Sequence, residues 1–247
     1  MDVTILGAGD AFASHGRFQS GYIIDGDGQR ILMEAGPTVL CVMKRMGIKP
    51  SSLDVILISH LHGDHFGGLP FLILEYLWES PRRTNLIIAG PRHLEARMWR
   101  LFHTMFPGPK AELERVTRKL KFVVLEPGRT LKVGKARVKS IRTPHMKHDI
   151  SLALRVELGD KTLAFSGDSG WTDELLGLTA GADLFLCECT YFDSTQLGFH
   201  LNYPVIAKNR ARFDVGRMVL THVGREVLDR GAEIEMEMAS DGMKIEL

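Results

Sequence analysis

One stretch constrains this chain more than any other: Val55-Ile-Leu-Ile-Ser-His60-Leu-His62-Gly-Asp64-His65-Phe-Gly-Gly68. An apolar run that reads as a buried strand leads straight into three histidines and an aspartate. Imidazole nitrogen and carboxylate oxygen are ligands that zinc accepts. Alternation past the strand end puts His60 and His62 on one side. The turn at Gly63 then lets Asp64 and His65 project toward a second centre. A polar surface loop is the competing reading, but so dense a ligand cluster at a strand end, closed by Gly67-Gly68, argues against it.

The rest of the composition sets few further limits. With 247 residues, 45% of them hydrophobic, the chain can bury a substantial core without disulfides or a structural metal. Cys41, Cys187 and Cys189 do not make a disulfide framework. Cys187-x-Cys189 has the spacing of a metal or redox pair, yet Asp183-Leu-Phe-Leu-Cys187 reads as a buried strand, which makes both cysteines core residues. The opening Val3–Leu6 strand pattern has no basic leader before it, and no apolar run reaches membrane-spanning length, so a cytoplasmic location is expected. The net charge of +1 hides an asymmetry: twelve Lys or Arg against three Glu from Lys110 to Lys147, and three basic against seven acidic residues from Arg225 to Leu247. The basic stretch suits a phosphate-bearing partner. Lysines guarding edge strands are the alternative, because the charges alternate along Leu131 to Ile141.

Patterning predicts strands at Val3–Leu6, Tyr22–Asp25, Ile31–Glu34, Val55–Ile58, Phe122–Leu125, Ala136–Ile141, Leu152–Glu157, Thr162–Phe165, Leu184–Cys187 and Met218–Leu220. Helices are expected at Thr38–Met46 with Thr38 as cap, at Pro91–Phe106 ended by Pro107-Gly108-Pro109, near Asp173–Leu178 and near Pro204–Phe213. Two strand-rich halves with interspersed helices imply a layered α/β architecture.

His60-x-His62-x-Asp64-His65 resembles the H-x-H-x-D-H signature of the metallo-β-lactamase superfamily, nearest its tRNase Z-like phosphodiesterase branch. Leu6-Gly-Ala-Gly9 is similar to the family's opening strand and turn. Leu32-Met-Glu34-Ala-Gly36 is similar to a second motif in which Asp is usual, so Glu34 is a departure. Phe165-Ser-Gly-Asp168 and Leu220-Thr-His222 resemble the family's two later ligand motifs. The resemblance covers nearly the whole chain and implies one domain over residues 1–247, a four-layer αββα sandwich with metals at one edge. It also implies two divalent ions, zinc or manganese. His60, His62 and a third histidine would hold one. Asp64, His65 and His222 would hold the other, and Asp168 would bridge them. Such a pair brings the pKa of bound water to about 7, making hydroxide available for hydrolysis.

Thr143-Pro-His145-Met-Lys-His148 offers two candidates for the third histidine. His145 is preferred because it follows a strand end and a proline, which leaves His148 at the rim. Leu186-Cys-Glu188-Cys-Thr190 resembles the H-E-A-T motif of tRNase Z, with cysteines replacing the His and Ala, and His200 falls where those enzymes carry a further histidine. The resemblance therefore adds Glu188 and His200 to Asp64 as catalytic groups, able to protonate a leaving alkoxide. A paired structural carboxylate and a loop histidine are the bland alternatives. His15, in a loop that could overhang the metals, and the helical His93 and His103 read as structural or solvated. Trp78 and Trp99 read as core or lid residues.

The expected activity is hydrolysis of a small-molecule or nucleic-acid phosphodiester, with a homodimer left open. The same centre could attack a lactone, thioester or β-lactam carbonyl; the Glu188/His200 pair tips the balance away from that. No long Gly/Pro-rich arm for gripping tRNA lies between Gly68 and His145. A redox di-iron protein usually carries a carboxylate where His62 stands, and a noncatalytic relative would be expected to lack ligands.

Overall fold

Alternation within each strand sorts its side chains to two apolar surfaces, and this sorting builds the layers. The computed structural model describes residues 1–108, 110–193 and 198–247. The first half runs β1 (Asp2–Gly7), β2 (Gly21–Gly26), β3 (Gln29–Met33), α1 (Val39–Arg45), β4 (Val55–Leu57), α2 (Gly63–Phe66), α3 (Leu69–Trp78), β5 (Leu86–Gly90), α4 (Leu94–Met105), α5 (Lys110–Thr117) and β6 (Leu120–Val124). The second half runs β7 (Thr130–Val133), β8 (Ala136–Arg142), β9 (Leu152–Leu158), β10 (Lys161–Phe165), α6 (Glu174–Thr179), β11 (Ala182–Glu188), α7 (Tyr203–Asn209), β12 (Val215–Thr221), α8 (Arg225–Asp229) and β13 (Lys244–Glu246).

One sheet has the order β13-β1-β2-β3-β4-β5-β6 and the other β12-β11-β10-β9-β8-β7. Val55 and Leu57 of β4 point into the core between the sheets, as do Leu184 and Leu186 of β11. Ile56 and Ile58 point the other way, into a second core with Met43, Leu72 and Phe102 from the helices. Phe185 and Cys187 likewise leave the far side of β11 to meet Leu175, Leu178 and Ile206. Strands covered on both faces read as continuous apolar runs. The result is the αββα sandwich, and Cys187 and Cys189 are buried core residues within it. Among the described residues, no helix is long and apolar enough to cross a membrane.

Several elements depart from the patterning. Helix α3 and strand β5 went unanticipated: Leu69–Trp78 is apolar almost all round, so its helical period is invisible. Strand β13 was missed because three residues carry too little pattern; it pairs with β1 through Val3 and Ile245. Helix α4 starts at Leu94, not Pro91, because His93 takes a left-handed φ of 74°. Thr38 does not cap α1 with its side chain; its hydroxyl accepts the Gln19 N–H at 3.1 Å. Of the Pro107-Gly108-Pro109 stop, Pro109 lies outside the described residues. Helix α7 ends at Asn209 and gives way to a 3-10 turn over Arg210–Arg212. The basic stretch from Lys110 to Lys147 runs through α5, β6, β7 and β8, of which β6 and β7 are edge strands of the two sheets.

Strand direction decides where the chemistry gathers. β10, β11 and β12 are parallel, and β9 is antiparallel to both β8 and β10. The carboxyl ends of β8, β10, β11 and β12 therefore share one edge. β3, β4 and β5 are parallel to one another in the other sheet. The segments leaving these ends carry His60 to His65, His145, Asp168, Glu188 and His222. Just beneath, the sheets are joined by a buried hydrogen bond of 2.8 Å between the Tyr22 hydroxyl and Thr221 Oγ1, with the Tyr22 ring against Phe165. Tyr22→Phe should cost about 1–3 kcal/mol in urea unfolding by leaving Thr221 unpartnered, and Tyr22→Ala about 3–5 kcal/mol. Equal costs for the two variants would mean that the hydroxyl, not the ring, carries the stabilisation.

Candidate metal centre

Each functional side chain reaches the centre because a strand stops where it does. β4 ends at Leu57, and three residues on, His60 is fully buried at the sheet edge. His62 is extended (ψ 149°) and precedes the short helix α2, whose tight turn turns Asp64 and His65 back toward His60. His222 follows β12 with φ of 50°, and Glu34 follows β3 with φ of 62°. Left-handed backbone is costly for residues with a Cβ and persists where the surroundings demand it. Gly170 is required for packing: a Cβ there would lie 1.9 Å from the Gly198 carbonyl, so only glycine lets the 198–200 segment lie against the Asp168 turn.

The side chains converge as two sets. His62 Nδ1 lies 3.1 Å from His60 Nε2 and 3.0 Å from His145 Nε2. Asp64 Oδ2 lies 3.2 Å from both His65 Nε2 and His222 Nε2. Asp168 stands between them. Its Oδ2 is 3.7 Å from both His60 and His145, while its Oδ1 is 3.2 Å from His65 and 3.6 Å from His222. In each of the sets His60-His62-His145-Asp168 and Asp64-His65-Asp168-His222, the ligand atoms lie within 4.8 Å of one another. His65 Nε2 and Asp168 Oδ1 are buried and satisfied by no hydrogen bond, though they face each other at 3.2 Å. Lone pairs aimed at a common point rather than at each other are what a cation-binding set requires, and the nitrogen and oxygen donors suit zinc. The residues fit divalent metal.

Behind the two sets, two buried glutamates each hold one histidine directly and another through a hydroxyl. Glu34 Oε2 accepts from His65 Nδ1 at 2.5 Å and from Ser59 Oγ at 3.0 Å, and its Oε1 accepts the Ser59 N–H at 2.7 Å. Ser59 Oγ, its proton committed to Glu34, accepts from His60 Nδ1 at 3.0 Å. On the other side, Glu188 takes His200 Nδ1 at 2.9 Å and the Thr190 hydroxyl at 2.6 Å, and Thr190 Oγ1 accepts from His222 Nδ1 at 2.9 Å. His145 Nδ1 donates to the Phe199 carbonyl at 2.8 Å. With these Nδ1 protons fixed, Nε2 of His60, His65, His145 and His222 all face the centre.

The electrostatics follow from burial and from the carboxylates. Burial opposes a charged His222, but Asp168 and the Asp64 hydrogen bond outweigh it and raise its pKa to about 9. Burial also opposes His65, and Asp168, Asp64 and Glu34 carry it well above its usual range. Burial works against ionised Asp64 and Asp168, yet the neighbouring histidines hold both carboxyls low. Burial, and then His65, depress His60; burial also lowers His62 and His145. Burial disfavours protonated His200, but Glu188 reverses this and raises it. A cavity of about 890 Å³ opens beside the centre, with His62, His145, His200 and Phe199 on its wall.

The sequence-derived residues His60, His62, Asp64, His65, His145, Asp168 and His222 thus come together, and Glu188 and His200 sit directly behind them. His148 lines the cavity without joining either set. His15 belongs to neither ligand set; it pairs with Asp229 of α8 at 2.8 Å. His103 and Trp99 stack on one another on α4, and Trp78 is 54% exposed at the end of α3. Sequence reasoning missed Ser59 and the relay roles of Glu34 and Thr190. Ser59 immediately precedes His60 in sequence, so its place beside the first ligand was the available signal.

A family model described as anti-Pycsar protein Apyc1 matches residues 1–242. Ribonuclease Z of Clostridium perfringens is 24% identical over 93% of this chain and 90% of that protein. Ribonuclease Z of Aeropyrum pernix is 36% identical, but the match spans only 38% of this chain and 31% of that protein. The solved structure of the short form of human tRNase Z is 25% identical, covers 100% of this chain and 99% of its own, and superposes with a TM-score of 0.77.

Two outcomes are expected at this centre. Metal uptake near pH 7 should release protons from His65 and His222, since both are protonated below their raised pKa values and must lose that proton to bind a cation. Calorimetric titration in buffers of different ionisation enthalpy should show this release, declining as pH rises past about 9 for His222; zero release at pH 7 would contradict it. Glu34→Gln should weaken metal affinity by about 10–100-fold, and an unchanged affinity would mean that the Glu34 relay does not orient ligands.

Proposed function

Because this chain belongs to the family of the anti-Pycsar protein Apyc1, within the metallo-β-lactamase superfamily, we propose that it hydrolyses small phosphodiesters, cyclic nucleotides included, at a two-metal centre. The observation that carries the reading is Asp168, whose two oxygens face the two ligand sets separately at 3.2–3.7 Å. The cavity beside it, about 890 Å³, is on the scale of a nucleotide-sized ligand. The chain between Gly68 and His145 is taken up by α3, β5, α4, α5 and β6 to β8, with no tRNA-gripping arm apparent in its sequence, which favours small substrates over tRNA.

His60, His62 and His145 would hold one ion and Asp64, His65 and His222 the other, with Asp168 shared and zinc the preferred identity. Divalent ions at such a centre supply Lewis acidity and lower the pKa of coordinated water from about 15.7 to about 7. The chain's own groups do the rest. Glu34 and Ser59 fix His65 and His60, and Thr190 fixes His222, so that the ligand geometry is set before substrate arrives. His200 is a cavity-wall residue whose Nδ1 is committed to Glu188. Its Nε2 is therefore the nitrogen left to meet substrate. The raised pKa of His200 keeps a proton there to hand to a departing alkoxide.

Loading with zinc should give about two ions per chain by elemental analysis, and His145→Ala should lower that content where His148→Ala does not. His200→Ala should slow a diester with a poor alkoxide leaving group by roughly 10²–10⁴-fold. It should slow a nitrophenyl diester much less and leave metal content intact, with Glu188→Gln showing the same selectivity more weakly. Equal losses on both diesters, or loss of metal, would remove His200 from the proton-donor role.

A further inference from the structure

A second cavity of about 370 Å³ adjoins the first, and the two share Arg97, Lys147, His148 and Asp149 as a common wall. The smaller one adds Arg92 and Arg142, so four permanent cations line it against one carboxylate. Asp149 is held by Arg97 at 2.6 Å, which accounts for one of the four. Among the described residues, Arg92, Arg142 and Lys147 form no ion pair, so three of the four cations on this wall keep their charge unneutralised by protein. Like charges gathered on one surface repel one another, less where water and salt screen them. Here they converge on a concavity and repel, a cost that an anion would relieve.

The reacting phosphodiester carries one negative charge, and divalent ions held by the adjacent ligand sets would supply cations for it. The surplus charge in the smaller cavity is therefore available to a different group on the same ligand. Guanidinium forks match phosphate oxygens in charge and geometry. We propose that this cavity is a subsite for a second phosphate, so that the preferred substrate is a phosphodiester carrying another phosphate about one nucleoside away. This rests on the phosphodiesterase reading and narrows its substrate class. The second phosphate can be terminal, as on a 5′-phosphorylated dinucleotide, or internucleotide, as in a trinucleotide. Among the described residues of the basic stretch, Arg142 and Lys147 line this subsite; Arg97 comes from the first turn of α4, and Arg92 from the segment just before it.

Binding to the metal-loaded protein tests the subsite without turnover. Adenosine 3′,5′-bisphosphate, which contains no diester, is compared by calorimetry with the 3′- and the 5′-monophosphate. The bisphosphate should bind about tenfold more tightly than either, with the gap shrinking as salt rises. The double variant Arg92→Gln/Arg142→Gln should close the gap, and each single variant should close part of it, with metal content by elemental analysis reporting an intact centre. In kinetics, kcat/KM for pApA and for ApApA is compared with that for ApA. Preference for pApA assigns a terminal phosphate and preference for ApApA an internucleotide one. Equal binding of bisphosphate and monophosphates, a gap that survives the double variant, or no preference for either doubly charged dinucleotide or trinucleotide overturns the proposal. Failure of the phosphodiesterase reading is separately visible: bis(4-nitrophenyl) phosphate would then go uncleaved by the metal-loaded protein, while the binding comparison still reads the subsite.

Discussion

The structure depends on one buried carboxylate, Asp168, which is 2% exposed and has five imidazoles and one further carboxylate converging around it. An unpaired buried charge is costly, and a fold keeps one only where counter-charge is close. In the absence of metal that counter-charge is the proton held on His65 and His222. Divalent ions would replace those protons at the same place, so metal and proton compete for one electrostatic need. The strand ends that meet at this edge are the fold's way of supplying donors from both sheets to a single carboxylate.

The support around Asp168 is built twice on one plan. Glu34 orients His65 directly and His60 through Ser59; Glu188 orients His200 directly and His222 through Thr190. One glutamate belongs to each sheet, since Glu34 follows β3 and Glu188 ends β11. Each relay fixes a tautomer as well as a ring position, because a hydroxyl that gives its proton to a carboxylate can only accept from the histidine behind it. The two relays differ in what they serve. Both of Glu34's histidines belong to the ligand sets, whereas Glu188 reaches one ligand and one cavity-wall histidine. That asymmetry leaves His200 on the cavity wall, outside the two ligand sets that share Asp168.

Much of this was legible in the sequence because the ligands are local. His60, His62, Asp64 and His65 sit within one strand-to-helix turn, and Asp168 and His222 each follow a recognisable strand. His145 over His148 followed from its place after β8, and the 3.0 Å approach to His62 agrees with that preference. The relays were not legible, because Ser59 and Thr190 are ordinary hydroxyls whose partners lie 25 and 32 residues away. Helix α3 was hidden by its uniform apolarity, and β13 by its length. The basic stretch was legible only in part. Lys110 to Lys147 is contiguous in sequence but distributed in space, while the cavity beside the centre draws Arg92 and Arg97 from outside it.

The central claim is that Asp168 is shared by two divalent ions, one in each ligand set. A crystal structure of the zinc-loaded protein, with anomalous diffraction collected at the zinc edge, tests this most directly. The account predicts two anomalous peaks about 3.5–4 Å apart, one contacting His60, His62 and His145, the other Asp64, His65 and His222, with one oxygen of Asp168 on each. A single peak, or two peaks of which only one touches Asp168, would contradict it.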